Sequence, residues 1–283
     1  GETAVFEYST EFLSSGIEVA PLTMPLRAGS FAFPALPRET FKGLPGLLAD
    51  ALPDRFGHAV INAWLARQQR TPASFDVLER LCYVGERGMG ALTFEPDTGP
   101  VTGASEPIDI GALRGLAAQV LSQRESFQTL LDPADPSDAM RDILRVGTSA
   151  GGARAKALIA WNPTTGEVRS GQLDVADGFE HWLLKFDGVA GNGDHELADP
   201  QGFGAIECAY HHMALAAGVT MAPCRLLREG PRQHFMTRRF DRTPEGQRVH
   251  MQSLCAMAHL DFNAPRAHGY EEALLVARRL LLP

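Results

Sequence analysis

A glycine-rich segment followed by apolar strands, within residues 146–187, constrains this chain more than any other feature. It begins Val-Gly-Thr-Ser-Ala-Gly-Gly-Ala-Arg-Ala-Lys-Ala and ends His-Trp-Leu-Leu-Lys-Phe-Asp. Because glycine has no Cβ and adopts positive φ angles readily, Gly147, Gly151 and Gly152 let the backbone N–H groups turn inward. A concavity of N–H groups attracts phosphate oxygens, so the segment predicts a nucleotide-binding loop.

Two features after the loop indicate an antiparallel sheet that presents a lysine. Residues 156–161 and 167–170 flank Asn-Pro-Thr-Thr-Gly, which predicts a hairpin. In the next strand, 181–187, Trp182, Leu184 and Phe186 share one face, since side chains alternate along a strand. Lys185 therefore lies on the face opposite the aromatic packing.

The elements that follow complete a recognisable order. A helix carries Ile206, Tyr210 and Met213 on one face and ends at Gly218, and strands at 224–228 and 233–240 come next. The order of elements is that of a protein-kinase N-lobe: a glycine loop, a strand, a strand that carries a lysine, a helix and two further strands. A strand lysine held by a helix glutamate suits phosphoryl transfer, which depends on positioned charge. Glu207 is the candidate partner of Lys185.

The rest of the chain predicts short strands near its start and helices elsewhere. Thr71-Pro72 predicts a helix start, and Pro53-Asp54 predicts a break between two helical stretches. The predicted elements are strands at 4–8, 30–33 and 92–94, helices within 43–70, after 72 and at 110–131, a linker at 97–107, and helices from 242 to the end.

Composition excludes several classes of function. A formal net charge of −8 argues against direct, non-specific nucleic-acid binding. Four cysteines without a CxxC pair suggest buried thiols, not a zinc ribbon or a disulfide framework. No apolar run suits a membrane helix, and the first residues do not resemble a signal peptide, so we expect a cytoplasmic protein without membrane contact.

Several ordered motifs resemble the HipA family of serine/threonine kinases, toxins of bacterial toxin–antitoxin pairs. The motifs are Thr148-Ser149-Ala150-Gly151-Gly152-Ala153-Arg154-Ala155-Lys156, His181-Trp182-Leu183-Leu184-Lys185-Phe186-Asp187, Thr237-Arg238-Arg239-Phe240-Asp241-Arg242 and, upstream, Leu44 to Gly57. The resemblance implies an α+β, protein-kinase-like fold. Its expected parts are an N-terminal β/α subdomain (1–100), connecting helices (101–145), an N-lobe with an antiparallel sheet (146–241) and the beginning of a helical C-lobe (242–283).

The resemblance also implies roles for single residues. Ser149 matches a loop serine whose autophosphorylation silences the kinase, and Lys185 matches the lysine that holds ATP phosphates. Arg238 and Phe240 match hinge positions that offer backbone groups to adenine, although Arg238 stands where a glutamate is usual. Asp241 matches an acidic residue near the ribose. The implied cofactors are ATP and Mg²⁺, and the implied catalytic pair is Lys185 and Glu207. The implied nucleotide contacts are Thr148, Ser149, Ala150, Gly151, Gly152, Ala153, Lys156, Lys185, Arg238, Phe240 and Asp241.

One departure from the family bears on activity. Family members carry an Asn-x-x-Asp-Asp-His-x-x-Asn-like catalytic loop and a Tyr-Asp metal site after the position of Leu282, and this chain has neither. Without those carboxylates we expect weak nucleotide binding and little phosphoryl transfer from the chain alone. We also expect the chain to be part of a longer protein.

The resemblance implies a kinase that transfers the ATP γ-phosphoryl group to a protein hydroxyl. The implied target is a translation protein such as an aminoacyl-tRNA synthetase, and the implied inhibitor is a HipB-like DNA-binding antitoxin, through which alone the chain would meet DNA. Two alternatives stay open: a non-catalytic, kinase-like module that binds an antitoxin or another protein, and a kinase-fold enzyme that acts on small molecules.

Two further clusters favour structural roles. Cys208 and His211 share a helical face, but the neighbourhood offers no fourth ligand for a metal. Arginines at 225, 228, 232, 238, 239 and 242 are typical of a solvated β-ribbon, with partner or nucleic-acid contact as the alternative.

Overall fold

The structure is a computed structural model that describes residues 3–100, 107–122, 154–172, 177–189 and 201–280. Its contacts divide the chain into two compact units, residues 1–52 with 250–283, and residues 53–249. The division differs from the predicted boundary near residue 100. The reason is that the helix after Asp54 packs in the same apolar core as the large sheet.

The first unit joins the two ends of the chain. The two short strands predicted near the start of the chain are present, and the structure pairs them antiparallel with Phe6 opposite Phe31. The Gly46 N–H donates to Nε2 of His259 at 3.0 Å, and the carboxylate of Asp50 accepts from the N–H and hydroxyl of Ser253. The elements are β1 Phe6–Glu7, α1 Thr10–Leu13, β2 Ser30–Phe31, α2 Arg38–Phe41, α3 Gly46–Ala49, α8 Leu254–Ala258 and α9 Tyr270–Arg279.

The second unit contains a five-stranded antiparallel sheet in the order β4-β3-β5-β7-β6. Lys156 of β3 lies opposite Lys185 of β5, and Lys185 lies opposite Phe235 of β7. The elements are α4 Arg55–Arg67, α5 Val77–Val84, α6 Ile110–Ser122, β3 Lys156–Trp161, β4 Val168–Ser170, β5 Glu180–Lys185, α7 Phe203–Ala216, β6 Cys224–Glu229 and β7 Arg232–Arg238. The predicted α+β class is confirmed.

One face of the sheet forms the main apolar core with α4 and α6. Trp182 and Leu184 of β5 are buried there, beside Phe56 and Val60 of α4 and Leu113 of α6. This arrangement confirms the alternation predicted for β5. Lys185 is thereby directed away from this core, because neighbouring strand residues point to opposite faces.

Two local predictions upstream are wrong. Thr71-Pro72 opens only a 3₁₀ turn at Pro72–Ser74. The α-helix begins later because Asp76 accepts from the Glu79 N–H while Glu79 accepts from the Asp76 N–H, a reciprocal capping box. Residues 92–94, predicted as a strand, form no strand. Across the described ranges, no helix is both long and apolar enough to span a membrane.

Helix α7 packs on β7 and β6. It ends as predicted, with Gly218 at a φ of +82°. The face formed by Ile206, Tyr210 and Met213 is 50%, 66% and 64% exposed, so the packed face is the other one. On that packed face, a Cβ added at Gly204 would lie 2.1 Å from the Gln233 carbonyl oxygen, so only glycine permits this approach to β7.

We predict that Gly204→Ala lowers the free energy of unfolding by about 1–3 kcal/mol, because α7 or β7 must shift to admit the methyl group. Gly115→Ala in α6 is the matched control, since nothing lies within 4 Å of its added Cβ. In the control, alanine stabilises the helix by about 0.5–1 kcal/mol. Urea unfolding of both variants measures the difference. Equal effects of the two substitutions would contradict the close packing at Gly204.

Candidate functional site

The structure brings the predicted lysine and glutamate together. Nζ of Lys185 lies 2.5 Å from Oε2 of Glu207, where β5 meets α7. The two side chains are 32% and 27% exposed, so the pair is partly accessible to a ligand. The ammonium also lies 5.5 Å from the centre of the Phe235 ring, which limits its movement on one side. The Lys185 ammonium is therefore a partly accessible cation that Glu207 holds in place on the face of the sheet.

Arg154 adds a second cation to the pair. Its Nη1 lies 3.4 Å from Oε1 of Glu207, and its guanidinium stacks 4.1 Å from the Phe203 ring. Arg154 directly follows, in sequence, the predicted glycine loop. Both oxygens of Glu207 are thus engaged by cations, one from β5 and one from the residue after the loop. The link between Arg154 and Glu207 was not predicted from the sequence.

Lys156, predicted as a nucleotide contact, lies in a buried ion pair, and its contact with nucleotide stays a prediction. It is only 4% exposed, and its Nζ lies 2.9 Å from Oδ2 of Asp54, which is equally buried. Burial lowers the pKa of Lys156 although Asp54 opposes the shift, and burial raises the pKa of Asp54 although Lys156 opposes that shift. Asp54 also caps α4 through the Gly57 N–H at 2.7 Å. Lys156 therefore fastens β3 to the start of α4.

Asp241, predicted as a ribose contact, also lies in buried ion pairs, and its contact with ribose stays a prediction. It is completely buried, and its carboxylate accepts from the Gly90 N–H at 2.7 Å and from the guanidinium groups of Arg239 and Arg242. Burial alone would raise the pKa of Asp241, but the hydrogen bond and charge of Arg239, with Gly90 and Arg242, outweigh it and lower the pKa. The carboxylate is thus committed to holding the 239–242 segment against the loop that contains Gly90.

The two predicted hinge residues lie at the end of β7. The Arg238 N–H donates to the Pro223 carbonyl at 2.8 Å and is not available to adenine in this arrangement. The Arg238 guanidinium lies 3.8 Å from Glu180. Phe240 is 67% exposed. Its position agrees with a surface that meets a ligand, and its contact with adenine stays a prediction.

The predicted glycine loop lies outside the described residues. This applies to its autophosphorylation serine and to every loop contact: Thr148, Ser149, Ala150, Gly151, Gly152 and Ala153. The roles assigned to these residues stay predictions. The described part of the site is the set of charged side chains at Asp54, Arg154, Lys156, Lys185 and Glu207.

The remaining two predicted clusters are the arginines between 225 and 242 and the Cys208–His211 pair. Arg239 and Arg242 are almost fully buried with Asp241, so they do not belong to a solvated ribbon as predicted. Burial and the neighbouring Arg239 charge lower the pKa of Arg242 to about 10. Within the described ranges, no group of three or more His, Cys, Asp or Glu side chains is arranged to hold a metal ion.

Fold and site together define an α+β protein with a partly exposed lysine–glutamate pair on an antiparallel sheet. The family described as "HipA-like C-terminal domain" matches residues 148–282, and the family described as "HipA N-terminal domain" matches residues 1–95. The two matches cover most of the chain, and the chain belongs to the HipA family.

Comparison with solved structures gives a relative that is much longer. The chain is similar to HipA in a complex of the Shewanella oneidensis MR-1 toxin–antitoxin system with HipB and operator DNA. The identity is 17% and the TM-score 0.48, over 88% of this chain and 49% of the other. The chain thus spans about half the length of that HipA. No curated protein matches the sequence.

We predict that Asp241→Asn destabilises the protein by about 3–5 kcal/mol at neutral pH, because two guanidinium groups keep their burial and lose their counter-charge. The folded pKa of Asp241 lies below its ordinary value of 3.8, so its contribution is present above that pH and is lost as pH falls through the folded pKa. The stability difference between wild type and variant should therefore shrink below about pH 4. Urea unfolding at pH 7 and pH 3 measures it, with the exposed Asp177→Asn as control. A difference that is the same at both pH values would refute this account.

Proposed function

We propose that this chain carries the nucleotide-binding part of a HipA-type serine/threonine kinase toxin. The observation that supports the proposal best is the Lys185–Glu207 pair at 2.5 Å. It lies on a sheet face and is partly exposed, and Arg154 connects it to the end of the predicted glycine loop. A lysine fixed in this way is the usual means by which kinases hold the α- and β-phosphates.

The charge of the cluster fits a phosphate chain. Arg154, Lys156 and Lys185 supply three cations against the carboxylates of Asp54 and Glu207, so the cluster carries one surplus positive charge. Lys156 is paired with Asp54, so it would add positive electrostatic potential at the site without contacting the phosphates. Lys185 would donate to phosphate oxygens while Glu207 keeps its ammonium in place. ATP bound with Mg²⁺ would supply the phosphoryl group to be transferred.

The activity of the whole protein is part of the same proposal. Family membership supports transfer to a serine or threonine hydroxyl of a protein, with a translation protein such as an aminoacyl-tRNA synthetase as target. It also supports inhibition by autophosphorylation of Ser149 and by a HipB-like antitoxin that binds DNA. A cytoplasmic location follows from such partners.

A second candidate is a non-catalytic module that binds an antitoxin or another protein. The observation that favours it is the burial of Lys156 and Asp241, since two of the predicted nucleotide contacts are occupied by structural ion pairs. The two candidates differ in one measurable property, which is the affinity of the chain for adenine nucleotides.

We predict that the chain binds ATP and that Lys185→Met weakens binding about 10- to 100-fold, because a charge-assisted hydrogen bond contributes about 1.5–3 kcal/mol. Glu207→Gln should weaken binding less, since it leaves the ammonium present but poorly held. Lys42→Met is the matched control, because Lys42 is an exposed lysine of the other unit. Calorimetric titration measures the affinities. Binding that is equal in all four proteins would remove Lys185 from the site, and no binding to any would favour the non-catalytic module.

We further predict that Ser149 is labelled when the full-length protein is incubated with γ-labelled ATP. Ser149→Ala should abolish label at that position, and Lys185→Met should abolish all transfer. Peptide mapping by mass spectrometry locates the label. Incorporation only into added metabolites would instead support an enzyme that acts on small molecules.

A further inference from the structure

Two thiols touch where α7 meets β6. Sγ of Cys208, in the middle of α7, lies 3.7 Å from Sγ of Cys224, the first residue of β6. Nε2 of His212, one helical turn after Cys208, lies 3.6 Å from the Cys208 sulfur. Cys208 is buried, whereas Cys224 is partly exposed and His212 is exposed. Both cysteines are free thiols.

The contact needs little movement to become covalent. A disulfide requires sulfur atoms about 2.05 Å apart, which is reached from van der Waals contact by small side-chain rotations and a slight approach of the two elements. Because α7 and β6 already pack together, the backbone supports such an approach. The residues are 16 apart in sequence, so the bond would close a short loop.

We propose that Cys208 and Cys224 are a redox modification site that forms a reversible disulfide with peroxide as the oxidant. His212 takes the Cys208 proton, and the thiolate attacks one peroxide oxygen. The O–O bond breaks, the released hydroxide takes the proton back from His212 and leaves as water, and Cys208 becomes a sulfenic acid. The Cys224 sulfur then attacks the Cys208 sulfur. The S–S bond forms, the S–O bond breaks, and the Cys224 proton leaves with the hydroxide as a second water.

The environment assigns the two cysteines different parts in this reaction. Burial raises the pKa of Cys224 to about 12, with the neighbouring Cys208 thiol adding to the shift, so Cys224 starts as a thiol. Cys208 has the His212 imidazole 3.6 Å from its sulfur, so a base for its proton lies in contact with it. The thiolate is the reactive form of cysteine, so Cys208 attacks and Cys224 resolves.

The bond would act on the candidate site through the helix. Glu207 immediately precedes Cys208, and its carboxylate holds Lys185 at 2.5 Å. Drawing the Cys208 sulfur toward β6 moves this turn of α7, so the oxidised protein should hold nucleotide with a different affinity. This last consequence rests on the proposed nucleotide function, whereas the disulfide does not.

The first test is chemical. The chain is treated with hydrogen peroxide, and the intact mass, the number of free thiols and the cross-linked peptides are measured before and after dithiothreitol. We expect the loss of two hydrogens and two thiols, a Cys208–Cys224 peptide, and full reversal by the reductant. Cys208→Ser and Cys224→Ser should each prevent the cross-link, while Cys82→Ser and Cys255→Ser should not. Oxidation that stops at sulfenic or sulfinic acid, or links other cysteines, would overturn the proposal.

The second test separates the site from its consequence. His212→Gln should slow disulfide formation several-fold and yield the same product, whereas an unchanged rate would remove His212 from the reaction. ATP affinity is then compared in reduced and oxidised protein. Equal affinities would refute the effect on Glu207 while leaving the disulfide intact. A disulfide that forms in a chain without ATP affinity would refute only the proposed nucleotide function.

Discussion

The contact between the first turn of α7 and strand β7 decides where Glu207 lies, and the candidate site depends on it. The absence of a side chain at Gly204 lets the helix approach the Gln233 carbonyl more closely than any Cβ would allow. Three residues later, nearly one helical turn, Glu207 then reaches Lys185. A helix held farther from the sheet would leave the lysine without its partner, so the charge of the site follows from backbone packing.

Burial divides the charged residues of the second unit into two kinds. Asp54 with Lys156, and Asp241 with Arg239 and Arg242, are excluded from water and fasten separate segments to one another. Removing one member of such a group leaves a buried charge unpaired, so these residues act as fixed structural links. Lys185 and Glu207 stay partly exposed and can exchange their mutual contact for a ligand. Exposure to solvent, not residue type, therefore distinguishes Lys156, which links two segments, from Lys185, the candidate functional lysine.

The first unit shows how distant parts of the sequence make one body. The Gly46 N–H donates a hydrogen bond to His259, near the other end of the chain. The Asp50 carboxylate accepts one from the Ser253 hydroxyl. Helix α3 has no side-chain cap of its own and its first N–H is bonded by His259, whereas α8 is capped by its own Ser253, whose hydroxyl accepts from the Ala256 N–H. These contacts are why residues 1–52 and 250–283 form one unit although they are far apart in sequence.

The sequence by itself determined the elements whose signals are local. The alternation around Trp182, the hairpin before it, the helix break at Asp54 and the stop at Gly218 follow from side-chain periodicity and turn chemistry, and the structure has them all. Only tertiary structure decided which charges are buried and which stay partly exposed. Lys156 and Asp241 look like binding residues in sequence, but Lys156 pairs with a carboxylate 102 residues away, and Asp241, besides its neighbours Arg239 and Arg242, accepts from a backbone N–H 151 residues away. Periodicity does not encode such pairings, because they arise only when separate elements pack together.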